Sequence, residues 1–367
     1  MKKYLLSIAV LMAATISFTS CDDDDDCPTC PPPATIVQNG VYVINEGSYY
    51  SQINGTLDFL GYDVANDTYS MTRNIFEDVN GRSLGSTPND ALIFSDSLLC
   101  IAVAGENRVE FVSTTTKKAY AAVSIDTPRE LAYESGSNYL YVSSYTGKVY
   151  KIDMTTRTIA GESAVVGANL EGIAVAGNKL YVCNSCSSDY MTYYKNVVEL
   201  NASTLAKNQD IEVVDNPVDV INAGDAIFIL SMGNYGDKPA TVQMLKDGQL
   251  STIDNATMMA YDAYNNQLYM INAPYGGDKE YKVYDLKNGQ TTTFLTNPDI
   301  FSPYSIAVNP VNGDVFITSP TKNPDTGKAD YTADCKLYRY SSAGTLLGTY
   351  DCGVNPGTIV CDSYYQK

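Results

Sequence analysis

The chain has 367 residues, with 42 acidic against 24 basic side chains and a formal net charge of −18. Such a balance excludes nucleic acid, or an anionic membrane surface, as the partner of a basic patch. Histidine and tryptophan are both absent, and without histidine there is no Ser-His-Asp or Cys-His catalysis, no histidine-ligated zinc or haem, and no ordinary neutral-pH proton shuttle.

In chain order, Lys2 and Lys3 precede an apolar run from Tyr4 to Phe18 that ends in Thr19, Ser20 and Cys21. Two lysines, a short apolar core and small residues at the end describe a secretory signal, too short for a membrane span. The segment FTSC resembles a lipobox, with Phe18 where that pattern has leucine; the resemblance implies acylation of Cys21 as the first mature residue. Asp22 to Asp26, Cys27, Cys30 and Pro31 to Pro33 follow. No core can bury such a run, so residues 21–39 are expected to form a solvated tether after a signal peptide at 1–20. An acidic stretch beside a lipidated cysteine also resembles the surface-export signal of Bacteroidota lipoproteins. This implies a lipid anchor in the outer membrane with the protein facing the cell exterior.

The body, residues 40–367, is a repeat. TPNDALIF, TPRELAYE, ANLEGIAV, NPVDVINA, ATMMAYDA, SPYSIAVN and NPGTIVCD open seven similar segments, anchored at Pro88, Pro128, Asn169, Pro217, Thr257, Pro303 and Pro356. Each of the first six leads to a turn, a β-rich run such as YLYVSSY or KLYVCNS, a second such as KVYKID or NVVEL, and a weaker last strand. Alternating β-branched and aromatic residues between Gly, Asn and Asp turns predict strands throughout, and no segment carries a helical period. Four strands per forty to fifty residues is a propeller blade. The first repeat starts at Val41 with its second strand, and the opening at Pro356 has no successor. Placing the C-terminal segment as the inner strand of blade one closes a seven-bladed all-β propeller and removes both free sheet edges.

In a propeller, the segments that open each inner strand share a face with the loops joining strands two and three. The positions two residues after each anchor are Asp90, Glu130, Glu171, Asp219, Met259, Ser305 and Thr358. The four acidic ones either meet a ligand or accept backbone hydrogen bonds that hold neighbouring blades together. Loops of blades two and three are tight, at Gly105–Asn107 and Tyr145–Thr146. Blades four, five, six, seven and one carry long ones at 184–195, 232–240, 274–281, 320–334 and 47–54. Long loops on a rigid scaffold are where binding usually resides. Nine of the 30 tyrosines fall in them: Tyr49, Tyr50, Tyr190, Tyr193, Tyr194, Tyr235, Tyr275, Tyr281 and Tyr331. A rigid apolar body with a polar tip suits a large amphipathic ligand or a sugar. The loop KNPDTGKADYTAD offers Asn323, Asp325, Asp330 and Asp334 as oxygen ligands without EF-hand spacing, so a solvated acidic loop is preferred over a calcium site. No metal or cofactor is expected.

Nine cysteines in an exported chain argue for oxidised pairs. Folding CKLYRYSSAGTLLGTYDC about Ala343–Gly344 sets Cys335 opposite Cys352, within disulfide range. Cys183 and Cys186 form a CxxC with no second CxxC in the body, which favours a local disulfide over zinc. Cys100 and Cys361 fall in core strands as buried thiols.

The KLYVCNS-type runs resemble the YVTN-family propeller repeat, and VYVINEGSYYSQINGTLDF resembles the first blade of Bacteroidota surface propellers. With its Asn45-Glu46-Gly47 motif and tyrosine-rich face, the body looks like the BtuG-type cobalamin-binding propellers. That resemblance implies capture of cobalamin for a TonB-dependent outer-membrane transporter. Under it the ligand would meet Tyr49, Tyr50, Asn89, Asp90, Arg129, Glu130, Tyr145, Glu171, Tyr190, Tyr193, Tyr235, Tyr275 and Tyr304. Arg129 would reach the anionic phosphate linker or instead form a salt bridge with Glu130 or Asp90. A surface adhesin or glycan- or peptide-binding protein is the alternative; an enzyme, such as a propeller lactonase, ranks last, and no enzymatic activity is expected.

Overall fold

The computed structural model describes residues 35–366, and they form seven four-stranded antiparallel sheets. Cys21, the signal peptide and most of the acidic tether lie outside the described residues. Middle strands are apolar on both faces because both are covered; Lys179–Cys186 and Ile227–Ser231 are buried almost end to end. Outer strands, such as Lys207–Glu212 and Gln290–Leu295, are polar and exposed.

The hydrophobic core is divided among the joints between blades. One cluster packs Val109 and Phe111 of blade two on Leu140 and Ile152 of blade three. Six further clusters repeat this between every neighbouring pair, ending with Leu337 of blade seven against Val43 of blade one. A ring of this kind is stable only when the last joint closes. The C-terminal strand Pro356–Gln366 closes it, pairing with Thr35–Asn45 from Asn45↔Pro356 to Thr35↔Gln366. The first strand therefore begins at Thr35, not at residue 40, because the C-terminal strand runs on to Gln366 and offers it a ladder.

Two further departures from expectation have local causes. A short helix, Ile75–Asn80, links blades one and two. Its Ile75 and Phe76 fill the joint with Leu84 and Tyr42, and two apolar positions are too few to show a period in sequence. Cys183 and Cys186 lie on one strand, three residues and about 10 Å apart along it, beyond disulfide reach. Both are free thiols, Cys183 in the core and Cys186 beside the Asn169 amide at 3.5 Å. Cys335 and Cys352 are direct register partners, as the hairpin predicts, and both are buried.

Candidate functional site

The seven inner strands open on one face of the ring, and four of them open in the same strained way. Thr87, Thr127, Asn216 and Asn355 precede the anchoring prolines with φ of 54°, 40°, 61° and 54°. For a threonine this is costly, since β-branched side chains rarely adopt left-handed backbone. Each carbonyl is held by the first N–H after the second strand: Ala104 to Thr87 at 3.1 Å, Tyr145 to Thr127 at 3.2 Å, Met232 to Asn216 at 2.8 Å and Glu46 to Asn355 at 2.8 Å. The ladder then skips at or beside the acidic position in blades two to five, between Pro88 and Asp90, Pro128 and Leu131, Leu170 and Ile173, and Pro217 and Asp219. Bulges of this kind re-aim side chains. Blades six and seven, which carry Met259 and Ser305 instead, pair without a shift.

The side chains so aimed surround an axial funnel of about 400 Å³ to which all seven blades contribute. Asn89, Arg129, Glu130, Glu171 and Tyr304 line it, as the repeat positions imply, and so does Asp219. Arg129 Nε donates to Glu171 Oε2 at 2.9 Å, and its guanidinium stacks 4.4 Å from the Tyr145 ring centroid. Tyr145 donates its hydroxyl to the other Glu171 oxygen. Arg129 is thus committed to a salt bridge, with Glu171 of the next blade, not Glu130 or Asp90. Burial opposes its charge, but Glu171 and Tyr145 hold its pKa above the ordinary arginine value.

Asp90 lies behind the wall and accepts from Leu131 N at 2.9 Å, tying blade two to blade three. Thr358, donating to Asn89 O at 2.9 Å, and Ser305, donating to Pro356 O at 2.8 Å, tie other joints. The blade-holding role therefore falls to Asp90, Ser305 and Thr358, and the funnel-lining role to Glu130, Glu171 and Asp219.

Glu46 is a polar funnel residue that the predicted ligand-binding set lacks. It follows the second strand of blade one, the same repeat position that Tyr145 holds in blade three. Its Oε2 accepts from the Tyr304 hydroxyl at 3.0 Å. Gly357 makes its room, since a Cβ there would lie 2.1 Å from Glu46 Oε1. Matching Glu46 to Tyr145 across the repeat is the signal that finds it.

Burial governs the protonation of these carboxyls. It raises Asp90 to about 7 and Asp219 to about 6, and lifts Glu46 above its usual value. Glu130 is raised well above the ordinary carboxylate range by burial and then by the charges of Asp219 and Asp90.

Above the funnel stands the predicted rim. The strand ends leave long loops at 46–55, 187–192, 232–240, 273–279 and 320–334, against 104–107 and 145–148 in blades two and three. Tyr49, Tyr50, Tyr190, Tyr235 and Tyr275 are exposed, Tyr50 at 96% and Tyr275 at 100%. Tyr193 is half-buried and meets Tyr235 edge-on at 5.7 Å; Tyr190 meets Tyr145 at 6.4 Å, and Tyr49 meets Tyr50 at 5.6 Å. The rim tyrosines form separate pairs spaced around the funnel, with Tyr275 standing alone. Tyr281 does not join them: its strand starts at Glu280, and it is buried at 2% exposure in the joint of blades six and seven. In the 320–334 loop, Asn323 caps its own turn and donates to Asp330, and Asp330 accepts from Thr332. Among the described residues no group of three His, Cys, Asp or Glu side chains is placed to hold a metal ion, and no helix is long and apolar enough to cross a membrane.

No protein-family model matches the chain, and no curated protein matches it. Among solved structures it is similar to the Kuenenia stuttgartiensis hydrazine synthase, with a TM-score of 0.59 and 15% identity over 74% of this chain and 89% of that one. It is also similar to a structure of U3-55K, with a TM-score of 0.52 and 12% identity over 72% and 81%. At such identities the likeness is one of fold. The chain is a seven-bladed β-propeller closed by its own C-terminus.

Proposed function

We propose that the protein is a lipid-anchored surface lipoprotein that captures a large amphipathic small molecule on its raised face. Cobalamin is the specific ligand proposed, and a TonB-dependent outer-membrane transporter is the partner that receives it. The observation that carries the binding role is the set of exposed tyrosines around an axial funnel lined by every blade. Tyrosine pays little conformational entropy for a wide contact surface. The resemblance of the repeat and of the Asn45-Glu46-Gly47 motif to cobalamin-binding surface propellers supplies the ligand. Corrin side-chain amides offer N–H donors that suit a carboxylate-lined funnel, and this replaces an Arg129–phosphate contact as the polar anchor.

The direction of the first strand fits a surface anchor. Thr35–Asn45 runs about 35 Å along blade one, from the far face to Glu46 in the funnel. An anchor upstream of Thr35 would therefore join the ring at the end far from the raised face. Protease added to whole cells is expected to cleave the protein, and Cys21→Ala is expected to release it from membranes. Protection in intact cells that lysis abolishes would place it on the periplasmic side instead.

Titration of the purified protein with cyanocobalamin, followed by heat or visible absorbance, tests the ligand. Saturable binding at micromolar or lower concentration is expected. Joint Tyr190→Ala, Tyr235→Ala and Tyr275→Ala substitution should weaken it by about a hundredfold or more. No binding at micromolar concentration rejects cobalamin and leaves the glycan- or peptide-binding reading; unchanged binding by the triple variant rejects the rim as the site.

A further inference from the structure

We infer that the floor of the funnel is a subsite for an organic cation, an alkylammonium or guanidinium group carried on an apolar stem. The inference does not depend on which ligand occupies the rim. Its first support is an uneven lining. Glu46, Glu130, Glu171 and Asp219 face the funnel from blades one, three, four and five, whereas Leu230, Met258, Met259 and Ile306 face it from blades five, six and seven. One half offers oxygen acceptors and the other offers methylene-sized contacts, so the cavity is itself amphipathic. About 400 Å³ lies at the small end of the usual range for organic ligands, about 300–1,000 Å³.

The second support is a set of acceptors that the protein leaves unanswered. The Glu130 carboxylate is half-buried and faces the funnel, yet no donor among the described residues reaches it. The side-chain carbonyl oxygen of Asn89, on the neighbouring blade, is buried and has no hydrogen-bond partner. Asp219 is met only by the backbone N–H of Val220. A bound group carrying several N–H donors would give the Glu130 and Asp219 carboxylates the hydrogen bonds that the protein does not supply.

Alternative ligands fit less well. An anion would meet four carboxylates, and the one cation of the floor is already bound to Glu171 and stacked on Tyr145. A metal ion needs oxygens converging at about 2.0–2.6 Å, whereas these carboxylates come from different blades and form no such cluster. A flexible organic cation reaches spaced acceptors, and the Tyr304 ring adds aromatic surface to the same floor.

Spermidine is a suitable probe, titrated calorimetrically into the purified protein in phosphate buffer. Saturable one-to-one binding is expected, weakened roughly tenfold or more by joint Glu130→Gln and Asp219→Asn substitution. The ionisable groups facing the floor are Glu46, Arg129, Glu130, Glu171, Asp219 and Tyr304, with Asp90, Tyr145 and Cys183 behind them. Protonation of the carboxyls at about pH 5.5 should therefore weaken binding relative to about pH 7.5, and binding at the higher pH should release protons. The Tyr190→Ala, Tyr235→Ala, Tyr275→Ala variant should keep its spermidine affinity, separating the floor from the rim. Absence of saturable binding overturns the inference. So does equal binding by the Glu130→Gln, Asp219→Asn protein with its thermal transition intact, or a like response to Mg²⁺, because either marks general attraction to an acidic surface.

Discussion

Deleting Pro356–Gln366 is expected to abolish folding of the ring. That strand supplies the whole inner edge of blade one, paired from Asn45 to Thr35 across two register shifts. Without it Val41, Tyr42, Val43 and Ile44, all fully buried, would lie on an open edge. Each ladder bond is worth about 0.5–1.5 kcal/mol net, and burial of Ile359 adds about 2–3 kcal/mol. The loss is on the order of 10 kcal/mol, comparable with the entire stability of an ordinary domain. Because the seven core clusters are joints between blades, opening one joint also removes the constraint on its neighbours. The truncated chain should aggregate through the exposed strand, read by light scattering and by loss of a cooperative thermal transition. A permutant that joins Gln366 to Thr35 by a short linker and opens the exposed turn at Ala65–Asn66 should fold, since Thr35 and Gln366 are register partners. A truncated protein that stays monomeric with an unchanged transition would refute closure by the C-terminal strand.

The buried carboxyls in and behind the funnel should make the protein less stable as pH rises through the weakly acidic range, and neutralising two of them should reduce that slope. A carboxyl whose folded pKa is raised binds more protons folded than unfolded, so its contribution is present below the unfolded value near 4 and lost as pH climbs to the folded value. Asp90, raised to about 7, and Asp219, raised to about 6, set the window between about pH 4 and 7. Glu130 and Glu46 shift in the same direction. Exposed carboxylates such as Asp63, Asp153 and Asp330 are held below their usual values by hydrogen bonds, so they act at lower pH and with the opposite sign. Joint Glu130→Gln and Asp219→Asn substitution should therefore stabilise the protein at neutral pH by on the order of 1–3 kcal/mol, the contact with funnel water reducing the full effect. Thermal unfolding followed by calorimetry between about pH 4.5 and 7.5, in buffer free of organic cations, measures it. An identical pH slope in the two proteins would show that these carboxyls are not strained in the fold.

Much of this architecture was legible before any coordinates. Seven openings at regular spacing fixed the blade count, and a chain starting on a second strand and ending on a first one required the two ends to meet. Loop inequality also read directly, because turn-rich segments between two β runs are local features. The same locality explains the errors. Strand ends at Cys186, Tyr193 and Glu280 extend into expected loops because their partners have room to continue the ladder, which no single strand reveals.

What the sequence by itself determined is therefore the repeat, its closure and the face on which unusual residues gather. Those properties follow from hydrophobic period and turn chemistry, which act over a few residues at a time. Only the tertiary structure decided which partner each funnel residue takes. Arg129 finds Glu171 across 42 positions, and Glu46 finds Tyr304 across 258. Asp90 becomes a strut while Glu130 is left without a donor. Those assignments turn on bulges that rotate a side chain toward or away from the axis and on how closely neighbouring blades approach. Both are properties of packed strands, and neither has a period that a sequence can display.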